Sequence, residues 1–241
     1  MMKRVSIFAA LGLLFLGFTY KPKDKVLIFS LTKGYHHASI ADGITAIKLI
    51  GETDNFTVDT TTNPALFTDE NLKQYKALIF LSPTGNSLFN ADQQKAFVNY
   101  IHKGGGYVGI HAATDCLYDW DWYGKLVGAY FLKHPKIQPA TLNIIDHKHP
   151  STKMLPDVWQ HTEEWYNFKQ VSPDIHVLIK VDESTYTGGE MNGNHPIAWY
   201  HKFEGGRIFY TELGHTKEDY TTDTLFIQHL TGGINYALNR K

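Results

Sequence analysis

Residues 104–115, G-G-G-Y-V-G-I-H-A-A-T-D, constrain the fold more than any other stretch of this chain. Three glycines end the preceding helical pattern, and 107–110 then has the apolar character of a strand buried in the centre of a sheet. His111, Thr114 and Asp115 follow directly, at the carboxyl end of that strand. Because this end of an open α/β sheet faces the ligand crevice, the sequence predicts a functional site here.

Strand and helix patterns alternate around this stretch. Strands are predicted at 25–30, 56–59, 77–81 and 107–110, and helices at 40–51, 69–74 and 91–102, with Ser39 as a candidate cap of the first helix. A hairpin is predicted at 197–201 and 207–211, and a closing helix at 223–238. The alternation predicts an α/β fold with a doubly wound, mostly parallel sheet.

The alternation is lost between about 119 and 190. Prolines and aromatic residues are frequent there, and turns interrupt every periodic pattern. We therefore predict one domain over 24–241 that carries an inserted, loop-rich segment at about 119–190. Antiparallel strands are expected within it at 140–145 and 176–181.

The first twenty residues have the pattern of a leader. Lys3 and Arg4 precede an apolar run, Val5 to Phe18, that is short for a membrane span. This predicts a signal peptide over 1–20, or alternatively an uncleaved anchor, with no other integral membrane role. The expected location is periplasmic or secreted. Cys116 is the only cysteine, so no intrachain disulfide can support this inference.

Charge and ring composition bear on the partner. Lys and Arg number 23 against 24 Asp and Glu, and no basic stripe is present, which argues against a nucleic-acid partner. The 13 His, 14 Tyr and 5 Trp residues suit a pocket for a small polar molecule. A homo-oligomer is compatible with this composition.

Several polar residues should meet at the carboxyl ends of the strands if the sheet is parallel. His36 and His37 are adjacent, so only one can face the crevice, and we favour His36. The expected catalytic residues are His111, His215, Asp115 and Glu164, and the adjacent Glu163 is a weaker candidate than Glu164. The expected substrate-binding residues are His36, Trp120, Trp165, Tyr166 and His195. For each of them the alternative is a purely structural role in a turn, a solvated face or the core.

A divalent metal such as zinc is a further possibility. His36, His111, Glu164, His195 and His215 carry the nitrogen and oxygen ligands that such ions accept. No H-E-x-x-H or paired-cysteine spacing is present, so the sequence by itself predicts no definite cofactor.

Seven motifs occur along the chain in a specific order. They are G-Y-H-H-A-S-I at 34–40, G-I-H-A-A-T-D at 109–115, H-P-S-T at 149–152, E-W-Y-N-F at 164–168, Y-T-G-G at 186–189, H-P-I-A-W at 195–199 and G-R-I-F-Y-T-E-L-G-H-T at 206–216. Together they resemble the ThuA-like, or trehalose-utilisation, family. This resemblance implies a flavodoxin-like core of the class I glutamine amidotransferase type. It also implies a role in the use of trehalose and related disaccharides.

One departure from the amidotransferases bears on activity. Those enzymes carry a nucleophilic cysteine on the turn after the central strand, where this chain has His111. An imidazole does not replace a thiolate in glutamine hydrolysis, so no glutaminase activity is expected. His215 resembles the partner histidine of that superfamily, but Lys217 stands in place of the usual acid. Cys116 is expected to pack in the interior.

The resulting functional hypothesis is an exported enzyme that acts on trehalose-like disaccharides or their keto derivatives. His111 or His215 would move a proton, assisted by Asp115 or Glu164. Hydrolysis, elimination and isomerisation all remain open. The alternatives are a non-catalytic sugar-binding module on the same fold and a partner-docking protein.

Overall fold

The computed structural model describes residues 23–240. The predicted leader lies outside this range. The strands are β1 (Asp24–Phe29), β2 (Phe56–Thr61), β3 (Ala77–Leu81), β4 (Gly106–Ile110), β5 (Tyr130–Lys133), β6 (Gln138–Ile144), β7 (Val158–Glu163), β8 (Asn167–Lys169), β9 (His176–Val181), β10 (Pro196–Phe203) and β11 (Gly206–Thr211). The helices are α1 (Ile40–Thr53), α2 (Asp69–Leu72), α3 (Ala91–His102), α4 (Asp121–Val127), α5 (Lys217–Thr221) and α6 (Thr224–Ala237). Within 23–240, no helix is both long and apolar enough to cross a bilayer.

Nine strands form one mixed sheet in the order β2-β1-β3-β4-β11-β10-β9-β6-β7. The first five of these are parallel, and the remaining four continue the sheet with antiparallel pairing. The α/β class is therefore as predicted, and the sheet predicted to be mostly parallel is a large mixed one because the inserted strands join it. The parallel strands all end at one edge, and the loops that leave this edge carry the polar residues that follow β1, β4 and β11.

The strands predicted at 140–145 and 176–181 correspond to β6 and β9, which pair antiparallel. They extend the main sheet instead of forming a separate body. β5 and β8 form a small second sheet, and β7 lies at the edge of the main one. These three strands were not predicted. β5 and β8 have only four and three residues, and the alternating pattern of β7 was not recognised in a segment where turns are frequent.

The core lies on both faces of the sheet. α1, α5 and α6 cover one face, and α2, α3 and α4 cover the other. Ile47 and Phe97, on opposite faces, are fully buried, and burial of such side chains stabilises a fold by about 1.5–3 kcal/mol each. At Gly106 a Cβ atom would lie 2.3 Å from the carbonyl oxygen of Ala237, so only glycine lets α6 approach β4 this closely.

The predicted cap of α1 is wrong. The Ser39 side chain makes no capping hydrogen bond. Its hydroxyl donates instead to the carbonyl of Gly214 at 3.1 Å. Ser39 therefore ties the loop after β1 to the loop after β11, and both loops carry histidines of the site described next.

Candidate functional site

Three histidines meet at the carboxyl edge of the parallel strands. His37 lies in the loop after β1, His111 follows β4 directly, and His215 follows β11. The strand order places β1, β3, β4 and β11 side by side, so loops far apart in sequence converge here. The end of β7 adds Glu163 and Glu164.

His111 is the centre of this group. It is fully buried, and its backbone is left-handed with φ of 49°, which is uncommon for a residue with a side chain. Its Nδ1 lies 2.8 Å from the carbonyl oxygen of Glu212. Its Nε2 lies 3.1 Å from His37 Nε2, 3.1 Å from His215 Nδ1 and 3.0 Å from the Tyr166 hydroxyl. The sharp turn after β4 thus aims one ring nitrogen at three other polar groups.

Glu164 completes the arrangement. Its Oε2 lies 3.2 Å from His215 Nδ1 and 3.7 Å from His111 Nε2. Its Oε1 lies 3.2 Å from Nδ1 of His134, a residue on the rim. One atom from each of four side chains, His37, His111, Glu164 and His215, lies within 4.8 Å of every other. These four residues are called the histidine–glutamate cluster below.

The cluster opens to solvent on one side only. The side chains of His215 and Glu164 are 14% and 13% exposed, whereas His37 and His111 are buried. A ligand from solvent would therefore meet His215 and Glu164 first, with the other two rings beneath them.

The environment sets the protonation of the cluster. Burial, together with the neighbouring His111 and His215, lowers the pKa of His37 to about 3. Burial alone would raise the pKa of Glu164, but the neighbouring His111 and His215 rings outweigh it and hold that pKa far below its usual range. Burial lowers and Glu164 raises the pKa of His215, with a net increase. At neutral pH the cluster therefore combines a neutral His37 with an ionised Glu164.

Two more glutamates lie beneath the cluster, and both are fully buried. Glu163 accepts hydrogen bonds from the backbone N–H groups of Glu164, Gly214 and His215. Glu212 accepts one from the N–H of Tyr166. Burial raises the pKa of both carboxyl groups. Sequence reasoning did not select either residue.

Asp115 ends the short helical turn that begins at His111. It is partly buried and accepts a hydrogen bond from the Tyr118 hydroxyl at 2.7 Å. Burial raises its pKa, an effect that the Tyr118 bond and the charge of His111 only partly offset. A partly buried carboxyl group with a raised pKa suits proton transfer.

The structure reverses the choice between His36 and His37. The ring of His37 faces the cluster, whereas His36 is exposed and its Nδ1 lies 3.0 Å from the Thr32 hydroxyl. Adjacent side chains on an extended loop point to opposite sides, and the sequence does not specify which side faces the sheet edge.

Of the other residues expected to bind substrate, Tyr166 lies in the site and three do not. Trp165 is fully buried and donates to the carbonyl of Gln138. Trp120 stacks on Trp122 with ring centroids 4.9 Å apart. His195 is fully buried, and its Nε2 donates to the carbonyl of Tyr166 at 2.7 Å. These three side chains pack against other parts of the protein, and His195 is not a member of the histidine–glutamate cluster.

Glu164 was preferred to its neighbour Glu163 because β7 was not predicted. Along V-W-Q-H-T-E the residues alternate between exposed and buried, a period of two that places Trp159, His161 and Glu163 on one face. Recognition of this strand would have separated inward-facing Glu163 from Glu164 at the strand end.

Comparisons with known proteins bear on the whole chain. The family model ThuA, described as trehalose utilisation, matches residues 25–237. A ThuA-like protein of Bacteroides uniformis is 26% identical, with a TM-score of 0.73 over 88% of this chain and 90% of that chain. A ThuA-like protein of Parabacteroides merdae is 21% identical, with a TM-score of 0.71 over 91% of both chains. No curated protein matches the sequence significantly.

One structure outside that group shares the fold. A GMP synthase component from Thermoplasma acidophilum is 12% identical, with a TM-score of 0.56 over 91% of this chain and 96% of that chain. At this identity the likeness concerns the fold alone. The family model, by contrast, spans nearly all described residues, and the motifs 34–40, 109–115, 164–168 and 206–216 supply most of the site residues described above. This chain belongs to the ThuA family.

Proposed function

We propose that this protein is an enzyme of carbohydrate utilisation that binds one divalent metal ion at the histidine–glutamate cluster and acts there on a sugar. The observation that carries the proposal is the convergence of three imidazole nitrogens and one carboxylate oxygen on a single point. Family membership supports the carbohydrate role.

The position of the proton on the His111 ring supports a bound cation at the cluster. Its Nδ1 faces a carbonyl oxygen, which can only accept, so the Nδ1 atom carries the proton. With no proton at Nε2, this atom offers one lone pair, and His37, His215 and Tyr166 all approach it. One lone pair cannot accept three strong hydrogen bonds, whereas a metal ion accepts lone pairs from all three imidazoles. The bond to the Glu212 carbonyl is also typical of metal-bound histidine.

The distances suit a small transition-metal ion. Zinc–ligand bonds of about 2.0–2.1 Å in a tetrahedral site place neighbouring ligand atoms about 3.3 Å apart. Three pairs of ligand atoms in the cluster lie 3.1, 3.1 and 3.2 Å apart. His111 Nε2 and Glu164 Oε2 lie 3.7 Å apart, and all four atoms lie within 4.8 Å of one another. His37 and Glu164 are already in the deprotonated forms that bind metals. Zinc or a similar ion with nitrogen and oxygen ligands is the expected occupant.

The surroundings fit a sugar. Tyr35 is 65% exposed, and its ring lies 4.8 Å from that of His37, so an aromatic face is free beside the cluster. A metal held by the cluster would supply polarisation of a carbonyl or hydroxyl oxygen of the ligand, and Asp115 would exchange a proton with the substrate. We therefore favour trehalose-like disaccharides or their keto derivatives as substrates. Hydrolysis, elimination and isomerisation fit this arrangement equally.

Further features bear on ancestry, glutaminase activity and location. The five parallel strands stand in the order β2-β1-β3-β4-β11. Numbered among themselves along the chain, they follow the flavodoxin-like order 2-1-3-4-5, which supports an amidotransferase-like core. His111 occupies the position of the nucleophile, and Cys116 is fully buried with its pKa raised by burial, so glutamine hydrolysis is not proposed.

The leader pattern at 1–20 supports export to the periplasm or beyond.

Metal analysis of the purified protein tests the proposal. We expect about one equivalent of zinc or a similar ion per chain. His37→Ala should weaken binding roughly 100-fold or more, since even a residue behind the ligands contributes 10–100-fold. His36→Ala, a neighbouring exposed histidine, is the matched control and should bind like the wild type.

The same samples should be incubated with trehalose and a keto-disaccharide, and products followed by NMR. Turnover that requires the metal supports the enzyme. Sugar binding without turnover would favour the non-catalytic binding module. Turnover by a metal-free protein would instead assign proton transfer directly to His215 and Asp115.

A further inference from the structure

We propose that Glu163 is the positioning residue that sets the separation of His215 and Glu164 by holding their two chain segments through one buried carboxylate. The inference rests on the proposed metal site, and it assigns a role to a residue that has no place among the ligands. Glu163 acts through backbone groups and does not coordinate the ion.

The contacts of Glu163 all lead to ligand-bearing segments. Its Oε2 accepts hydrogen bonds from the N–H groups of Gly214 at 2.9 Å and His215 at 3.1 Å. Its Oε1 accepts from the N–H of Glu164 at 2.7 Å. One side chain thus bonds to the backbone of two of the four cluster residues.

Sheet pairing alone does not fix the distance between Glu164 and His215. Glu164 follows β7 and His215 follows β11, and three strands, β10, β9 and β6, lie between them. Each strand interface adds some freedom in twist, so ladder hydrogen bonds alone set the separation loosely. The carboxylate spans the gap directly at the site.

The chemistry calls for a carboxylate. Two consecutive N–H groups, from 214 and 215, point at one oxygen because Gly214 adopts a left-handed backbone with φ of 115°, and such paired donors favour an anion. A carboxylate is acceptor-only at both oxygens, whereas an amide has one acceptor oxygen and one NH₂ donor. Glutamine would therefore leave at least one N–H facing a donor.

A counter-charge lies behind Glu163. His161 Nε2 is 3.9 Å from Glu163 Oε2, and hydrogen bonds to Asp219 and Asp223 outweigh burial to raise the pKa of His161 to about 9. This imidazolium offsets part of the cost of burying the Glu163 charge. Glu163 is 0% exposed, so solvent does not substitute for these contacts.

Cobalt(II) binding to the purified protein tests the inference, with dissociation constants from competition titration and coordination geometry from the visible absorption spectrum. Glu163→Gln should weaken cobalt binding by about 10–100-fold and change the spectrum. Glu163→Asp keeps the charge but shortens the side chain, and it should give an intermediate loss. Thermal unfolding identifies any variant that does not fold. If Glu163→Gln does not fold, the cobalt binding of Glu163→Asp decides the test.

Glu183→Gln is the matched control. Glu183 also accepts two backbone N–H groups, from Met191 and Gly193, but it holds a different loop. Its variant should leave the cobalt spectrum unchanged. Wild-type affinity and spectrum in folded Glu163 variants would overturn the positioning role alone. A wild-type protein that binds no cobalt, zinc or similar ion would overturn both this inference and the proposed metal site.

Discussion

At the scale of single residues, the site depends on a few side chains held in unusual states. His111 adopts a left-handed backbone at the end of a buried strand, which costs on the order of 1 kcal/mol or more. The fold maintains this strain because Nδ1 of His111 bonds to the Glu212 carbonyl and the hydroxyl of Tyr210 donates to the His111 carbonyl. Replacement of the ring would remove one of these restraints together with a member of the histidine–glutamate cluster.

Asp115 gives a prediction at this scale. Asp115→Asn keeps the shape and the bond to Tyr118 but removes the ionisable group, so kcat on the sugar substrate should fall about 10²–10⁴-fold while metal content stays unchanged. Steady-state kinetics and metal analysis on the same sample check this result. Asp121→Asn, an exposed residue in the first turn of α4, is the control.

Tyr118→Phe sharpens that test. The Tyr118 hydroxyl lowers the pKa of Asp115, so its removal should raise that pKa further. If Asp115 acts as the acid, the decline of kcat on the alkaline side should move to higher pH. A full-rate Asp115→Asn enzyme would remove Asp115 from the mechanism.

At the scale of elements, His161 joins three of them. It lies on β7, with Nε2 3.3 Å from Asp219 on α5 and Nδ1 3.2 Å from Asp223, the N-terminal cap of α6. One oxygen of each carboxylate caps a helix, and another oxygen faces the ring. This arrangement fixes both helix starts relative to the edge strand β7.

The pKa of His161 predicts how this link depends on pH. The folded pKa of about 9 exceeds the unfolded value of about 6.5. The link therefore contributes fully to the free energy of unfolding below pH 6.5, and this contribution is lost as pH rises through 9. The shift corresponds to roughly 2–4 kcal/mol of unfolding free energy.

Urea unfolding at pH 6.5 and at pH 9.5 measures this contribution. The wild type should lose stability across the interval, and His161→Gln should lose much less, because it lacks the titrating ring. Equal losses in both proteins would show that other groups cause the change.

At the scale of the whole molecule, several histidines are buried without a counter-charge strong enough to keep them protonated. Burial lowers the pKa of His149 and His201 to about 4 and that of His229 to about 3. Unfolded histidines titrate near 6.5, so the unfolded chain binds more protons than the folded one between these values. Stability is therefore expected to fall as pH drops below 6.5, and to continue falling toward pH 4.

Urea unfolding at pH 7 and pH 5 checks this expectation. Each of these histidines should lower the free energy of unfolding by about 2 kcal/mol between pH 7 and pH 5. His201→Gln should reduce the pH-dependent part, whatever its effect at pH 7, while His176→Gln, at an exposed position, should not. A wild type equally stable at both pH values would contradict the prediction.

Much of the parallel half of the sheet was predictable. The strands at 77–81 and 107–110 consist of buried apolar residues, and local pattern alone identifies them. The turn after 110 was recognisable as a site because parallel strands bring their carboxyl ends together. In the antiparallel half, β6, β9 and β10 were predicted and β7 was not. β5 and β8 form a separate two-stranded sheet, and strands of four and three residues carry too little periodic pattern to identify.

The sequence by itself determined the α/β class, the family and the position of His111 at a strand end, because periodicity and motif order are local properties of a chain. Only the tertiary structure decided that His37 and not His36 faces the site, that Trp165 and His195 pack in the interior, and that Glu163 bonds to the backbone of both Glu164 and His215. The physical reason is that side-chain direction and burial depend on contacts between segments that lie far apart along the chain. No local pattern specifies those contacts.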